Sequence, residues 1–232
     1  MSAHKIIRHT TFDAKNVTFS EMKKNKMGGK TVYLSNEKHK KIRLQLPKLR
    51  APFGLSEFTD QASGRTSYSL DLSLDGSDEL KTTLTQLDDL VIKTVAKNST
   101  QWLGKKHSEA VVESALYKKI VRSPNDPKYS PTIKLKILTN SDQNFIPEAY
   151  NSKQEQVALK TIEKGQSVKA IADIVSIWII DNKCGVTIRL EQASLAPTEK
   201  LKGYAFLDDE DNDGEDEEED DEYDEEEGVV DE

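Results

Sequence analysis

Apolar and polar residues alternate strictly through several separate stretches of this chain, and a period of two fits a half-buried β-strand and no helix. In Lys41-Ile42-Arg43-Leu44-Gln45-Leu46 the three aliphatic residues fall on one face and Lys41, Arg43 and Gln45 on the other. Tyr68–Leu74 repeats the pattern through Leu70, Leu72 and Leu74, and Ile133–Ile137 does so with Lys134 and Lys136 outermost. Thr31–Leu34 reads as a further short strand. The longest pair is Ser167–Ile180 and Cys184–Ser194, joined by the turn-rich Asp181-Asn182-Lys183. In its second member Val186, Ile188 and Leu190 point inward and Thr187 and Arg189 outward.

Helical spacing interrupts the strands. Asp78–Leu103 carries Leu80, Leu84, Leu87, Val91 and Val95 three and four residues apart, a stripe that belongs on the core. Ser108–Val121 is a second expected helix, ended by Ser123-Pro124-Asn125-Asp126-Pro127. A short third is expected over Lys153–Lys164, from the capping-box spacing of Ser152 and Glu155 and from Gly165 as its exit. Strands, one long helical insertion, then strands again suit a small closed barrel better than a parallel sheet buried on both faces. The expected class is mainly β with helical insertions, an OB-fold (a five-stranded Greek-key barrel). Pattern alone leaves another barrel or a sandwich equally open.

Charge divides the chain. Asp208–Glu232 holds 19 of the 41 acidic residues and none of the 33 Lys and Arg, so the formal net charge of −8 hides a body, residues 1–207, of about +11. The expected organisation is a basic globular domain over 1–207 and a disordered acidic tail over 208–232, which cannot bury enough apolar area to offset the entropy of ordering. A basic body calls for an anionic partner, and the tail mimics one. Acidic termini also serve merely as solubilising segments, so charge by itself favours a nucleic-acid partner only slightly. The lone Cys184 favours a reducing compartment, and neither a membrane-length apolar run nor a signal-peptide core is present. An intracellular protein with no membrane partner is expected.

No catalytic constellation emerges, and neither an enzyme nor a cofactor is expected. Gly28-Gly29-Lys30-Thr31 has the end of a phosphate loop, but Lys24 stands where the first glycine is required and a strand follows. His4, His9, His39 and His107 lack metal-ligand spacing. Asp209, Asp211, Asp213 and Gly214 mimic the start of an EF-hand loop, yet its twelfth position is Asp220 and no amphipathic helices flank it.

The nucleic-acid signals are stronger. Pro47–Phe58 reads as a loop between two alternating strands and carries Lys48, Arg50, Phe53 and Phe58. Single-strand binders combine phosphate-neutralising cations with aromatic faces on which bases stack. The alternative is that the two phenylalanines cap the barrel end. Trp178, in an apolar strand, is a platform candidate for which a core position is the commoner outcome. Lys134, Lys136, Arg189, Lys41 and Arg43 lie on outward faces, and Lys183 in the last turn. The expected DNA-binding set is Lys48, Arg50, Phe53, Phe58, Lys134, Lys136, Trp178, Lys183 and Arg189.

Ser176–Ala193 (SIWIIDNKCGVTIRLEQA) with Gly203-Tyr204-Ala205-Phe206 resembles the C-terminal signature of a single-stranded-DNA-binding protein family of nucleo-cytoplasmic large DNA viruses. Pro47–Ser56 (PKLRAPFGLS) and Ser67–Leu74 (SYSLDLSL) resemble that family's N-terminal block. The layout is also similar to the single-stranded-DNA-binding protein of podophages. The resemblance implies coating of replication and recombination intermediates, self-association, and a tail that competes with DNA and recruits replication enzymes (polymerase, helicase or primase) at a viral replication site or in the nucleus. Podophage and bacterial tails of this kind end in an aromatic residue. This one ends Gly228-Val229-Val230-Asp231-Glu232, with Tyr223 its sole aromatic. The rival expectation is an acidic-tailed chaperone or scaffold for basic proteins.

Overall fold

A computed structural model describes residues 5–26 and 28–198. The chain divides into two units, Met1–Thr198 and Glu199–Glu232. The acidic segment 208–232, with its expected disorder, lies outside the described residues.

Along the chain come β1 (Ile6–Arg8), β2 (Val17–Phe19), β3 (Lys23–Lys24), β4 (Lys30–Asn36), β5 (Ile42–Arg50), β6 (Leu55–Thr59) and β7 (Thr66–Ser73). Next are α1 (Asp78–Lys97), α2 (Ser99–Leu103), α3 (Glu109–Val111), β8 (Tyr117–Lys118) and β9 (Thr132–Ile137). Last are β10 (Glu148–Tyr150), β11 (Gln156–Val157), β12 (Ser167–Ile180) and β13 (Lys183–Leu195).

Five strands make the barrel. β5 runs antiparallel to β12, β12 to β13, and β7 to β9, while β13 and β9 meet in parallel. β5 comes against β7 to close the circuit. First on fourth, fourth on fifth, fifth parallel to third and third on second is the Greek key of an OB barrel, with α1 inserted between its second and third strands. The alternating residues behave as their period requires: Ile42, Leu44, Leu46, Leu70, Leu72, Ile133 and Leu135 are all buried in one core. Leu80, Leu84, Leu87, Val91 and Val95 of α1 join the same cluster.

Four expectations need correction. The stripe over Asp78–Leu103 is two helices, because the Asn98 side chain donates back to the Thr94 carbonyl and α1 stops there. Ser108–Val121 is helical only to Leu116; Tyr117 and Lys118 pair with Cys184 and Gly185 instead. Tertiary contacts overrule helical spacing there, since the buried Asp88 of α1 takes the Tyr117 hydroxyl and the Ile120 amide. Lys153–Lys164 is not a helix. Asn151 captures the amides of Lys153 and Glu155 with its side-chain carboxamide oxygen, which turns the chain from β10 into β11, and only Leu159–Thr161 forms a 3₁₀ turn. Finally, the expected loop Pro47–Phe58 is mostly strand. β5 continues to Arg50 through a bulge where Lys48 faces Lys169 but Gln45 faces Ile171, so Leu46 and Leu49 both reach the core. Pro47, lacking an amide donor, sits within that slip.

Candidate nucleic-acid interface

Register pairs place side chains on a common face of the sheet. One row crosses the strands as Arg43, Asp173, Arg189, Lys136, Ser69 and Ser56. A second holds Thr31, Trp178, Gly185 and Lys118. Gly185, Thr187 and Arg189 alternate along β13, so both rows open on the same outer face, about 13 Å apart along the strand. Tyr33 stands opposite Ser176 between the rows, and Phe58, two residues beyond Ser56, ends the face on β6.

Three aromatic side chains are thereby set on this face, two of them beside cations. Trp178 is half-buried and not part of the core. Its ring lies over Gly185, where a Cβ would come within 2.8 Å of Cζ2. The Lys118 ammonium stands 6.0 Å from the ring centroid, and Lys23 stands 5.8 Å from that of Tyr33, which is 47% exposed. Phe58 is 66% exposed. Trp178 also walls a small notch of about 40 Å³ shared with Lys118, Lys119, Arg122 and Lys134.

The cations differ in how far they are engaged. Lys134 donates to Asp71 at 2.8 Å and to Ser69 at 3.2 Å. Lys136 is exposed. Arg189 has a buried Nε without a hydrogen-bond partner among the described residues, and an unsatisfied buried donor costs about 1–3 kcal/mol. Beside it Asp173 is buried, 3.7 Å from the Lys41 ammonium, and Arg43 Nε lies 3.3 Å from Glu191. Burial, and then the Glu191 charge, push the Asp173 carboxyl up, against the pull of Lys41, Arg43 and Arg189.

Of the residues singled out from sequence, Phe58, Lys134, Lys136, Trp178 and Arg189 come together on this face. Lys183 lies at its hairpin end, with its ammonium donated to the Ala115 carbonyl. Lys48 and Arg50 do not join them. They face Lys169 and Ser167, nine and eleven residues along β12 from Trp178, which is about 30 Å or more. Phe53, 63% exposed, follows them in the turn to β6. Neither phenylalanine caps the core. Tyr33 and the Lys118–Arg122 run were missed. Tyr33 was legible from the alternation of Val32 and Leu34, whereas the expected helix over Ser108–Val121 hid the basic run. Among the described residues, no three metal-ligating side chains converge.

Burial lifts the Cys184 thiol to about 11, so it is an inert core group.

Two phage proteins are among the solved structures to which this chain is similar, both at low identity. The single-stranded DNA-binding protein from bacteriophage Enc34, solved in complex with ssDNA, is 12% identical, with 82% of this chain and 99% of that one covered at a TM-score of 0.44. The bacteriophage T7 protein gp2.5, a single-stranded DNA binding protein, is 14% identical, with 71% and 91% covered at a TM-score of 0.47. No curated protein sequence matches. A family model described as "Family of unknown function (DUF5871)" matches residues 61–208, from the β6–β7 turn through the whole of β13, and the chain belongs to that family.

Proposed function

We propose that this protein is a non-enzymatic single-stranded-DNA-binding protein that acts in viral DNA replication and recombination. The observation that carries the reading is the outer face of β4, β12, β13 and β9, where Trp178 and Tyr33 stand among Lys118, Lys136 and Arg189. Bases stack on the aromatic rings, each worth about 1–3 kcal/mol, and phosphates meet the cations between them. The half-buried Arg189, in register with Lys136, adds a guanidinium to the cations that meet the phosphates.

Lys48, Arg50 and Phe53 belong, on this reading, to a strand long enough to reach the other end of β5. The acidic segment 208–232 competes with DNA for the same cations, by charge alone, and recruits replication enzymes once displaced. The protein works where viral DNA is copied, in a replication site or the nucleus.

Binding of matched single- and double-stranded oligonucleotides, followed through a salt titration, tests the proposal. Single strands bind more tightly, because a duplex hides the base faces, and affinity falls with a log–log slope near −0.7 per phosphate neutralised. Equal affinity for both forms across the titration would sink the stacking model.

A further inference from the structure

A second concavity of the described fold lies away from Trp178. β1 runs parallel to β5, with Ile6 opposite Arg43, and the chain then turns through His9–Asn16 to pair β2 with the end of β4. Between that segment and the 36–41 turn opens a cleft of about 900 Å³. Six cations line it: Lys5, Arg8, Lys38, Lys40, Lys41 and Arg43. Two acids oppose them, and one, Asp13, is already engaged by the Lys15 amide. Among the described residues Lys5, Arg8, Lys38 and Lys40 form no ion pair.

The turn is built to hold its lysines out. The Asn36 carboxamide oxygen accepts the amides of Lys38 and Lys40, both at 3.0 Å, and His39 takes a left-handed φ of 54°. Asn36 also exchanges backbone hydrogen bonds with His39 and Lys40. Lys38 and Lys40 are therefore crowded on a preset backbone with no ion-pair partner among the described residues, an arrangement that a polyanion relieves.

The cleft also continues the candidate interface. Arg43 lines it and at the same time begins the row that runs through Asp173 and Arg189 to Lys136. Three strand spacings separate Arg43 from Lys136, roughly 14 Å.

We propose that this cleft is a second phosphate-binding station for the same single strand, entered across the Arg43 row after the bases have stacked at Trp178. The proposal rests on the single-strand-binding reading above. It predicts a length dependence, because a short oligonucleotide fills the aromatic face alone and a longer one reaches the cleft.

The test compares oligothymidylates near the short and long ends of the range for one OB barrel, about 4 and about 16 nucleotides, on the full chain. The variant is Arg8→Ala/Lys38→Ala/Lys40→Ala, three exposed side chains outside the core. Affinity for the long oligonucleotide falls several-fold, and its salt slope flattens by up to about two units, from roughly 0.7 per lost phosphate contact. Affinity for the short one does not change. Equal losses at both lengths, or none at either, overturn the second station. The charge-reversed Lys38→Glu/Lys40→Glu variant, checked by circular dichroism, must exaggerate the same length dependence. Trp178→Ala separates the two ideas, since it weakens both lengths if the underlying reading holds. If Trp178→Ala weakens neither, that reading fails by itself, whatever the cleft variants do.

Discussion

Asp88 is a charged side chain in the middle of the buried stripe of α1, and it ties the helix to the basic strand. Its carboxylate accepts the Tyr117 hydroxyl at 2.6 Å and the Ile120 amide at 3.0 Å, which fixes the chain on either side of Lys118 and Lys119. Burial lifts the carboxyl to about 6, against the lowering effect of the Tyr117 and backbone hydrogen bonds. The folded protein therefore keeps a proton that the unfolded chain releases near pH 4, and the contribution of Asp88 to stability falls as pH rises from about 4 to about 6. Asp88→Asn keeps an acceptor for Tyr117 and removes the titration. Measured across pH 4 to 7, the stability difference should move in favour of the variant by up to about 3 kcal/mol. A difference that does not change with pH would show that the group is charged throughout.

β8 and β13 meet where the glycine in Gly185 lets three things converge: the Trp178 ring, the β8 backbone and the outer face. A Cβ there would lie 2.8 Å from Trp178 Cζ2 and 3.1 Å from the Lys118 carbonyl oxygen, so something must move. Gly185→Ala should lower single-strand affinity about as far as Trp178→Ala, by roughly 1–3 kcal/mol. The double variant should lose little more than either alone, because both act through one ring. Additive losses in fluorescence-anisotropy titrations would place the effect of Gly185 in β8 instead. The barrel strands themselves were readable in the sequence, since Ile42, Leu70, Ile133 and Ile188 keep period two against a one-sided core. The outward cations Lys136 and Arg189 followed from the same period. What was not readable depends on contacts distant in sequence. The bulge at Pro47 shows only against Ala170, the strand at Tyr117 only against Cys184, and the separation of Lys48 from Trp178 only along β12.

The whole chain is a polyanion joined to a polycation, and the 19 acids of Asp208–Glu232 exceed the body's net charge of about +11. A tethered competitor acts at the high effective concentration of an intramolecular ligand, which for short flexible linkers is on the order of millimolar. On the proposed reading its attraction to the body is electrostatic, so screening weakens it as ionic strength rises and the Debye length shrinks from about 30 Å at 0.01 M to about 8 Å at 0.15 M. Removing Asp208–Glu232 should therefore tighten binding to single-stranded DNA at low salt, and the advantage should shrink as salt is added. DNA binding by the full chain should show a flatter salt dependence than the truncated protein, because salt weakens the competitor along with the ligand. The same truncation should abolish capture of any replication enzyme that binds the intact protein. A chaperone for basic proteins would lose its clients on truncation but gain nothing for oligonucleotides. If full-length and truncated proteins bind single-stranded DNA equally at low ionic strength, the acidic segment does not compete for the cations of the barrel, and its role must be sought in partner binding alone.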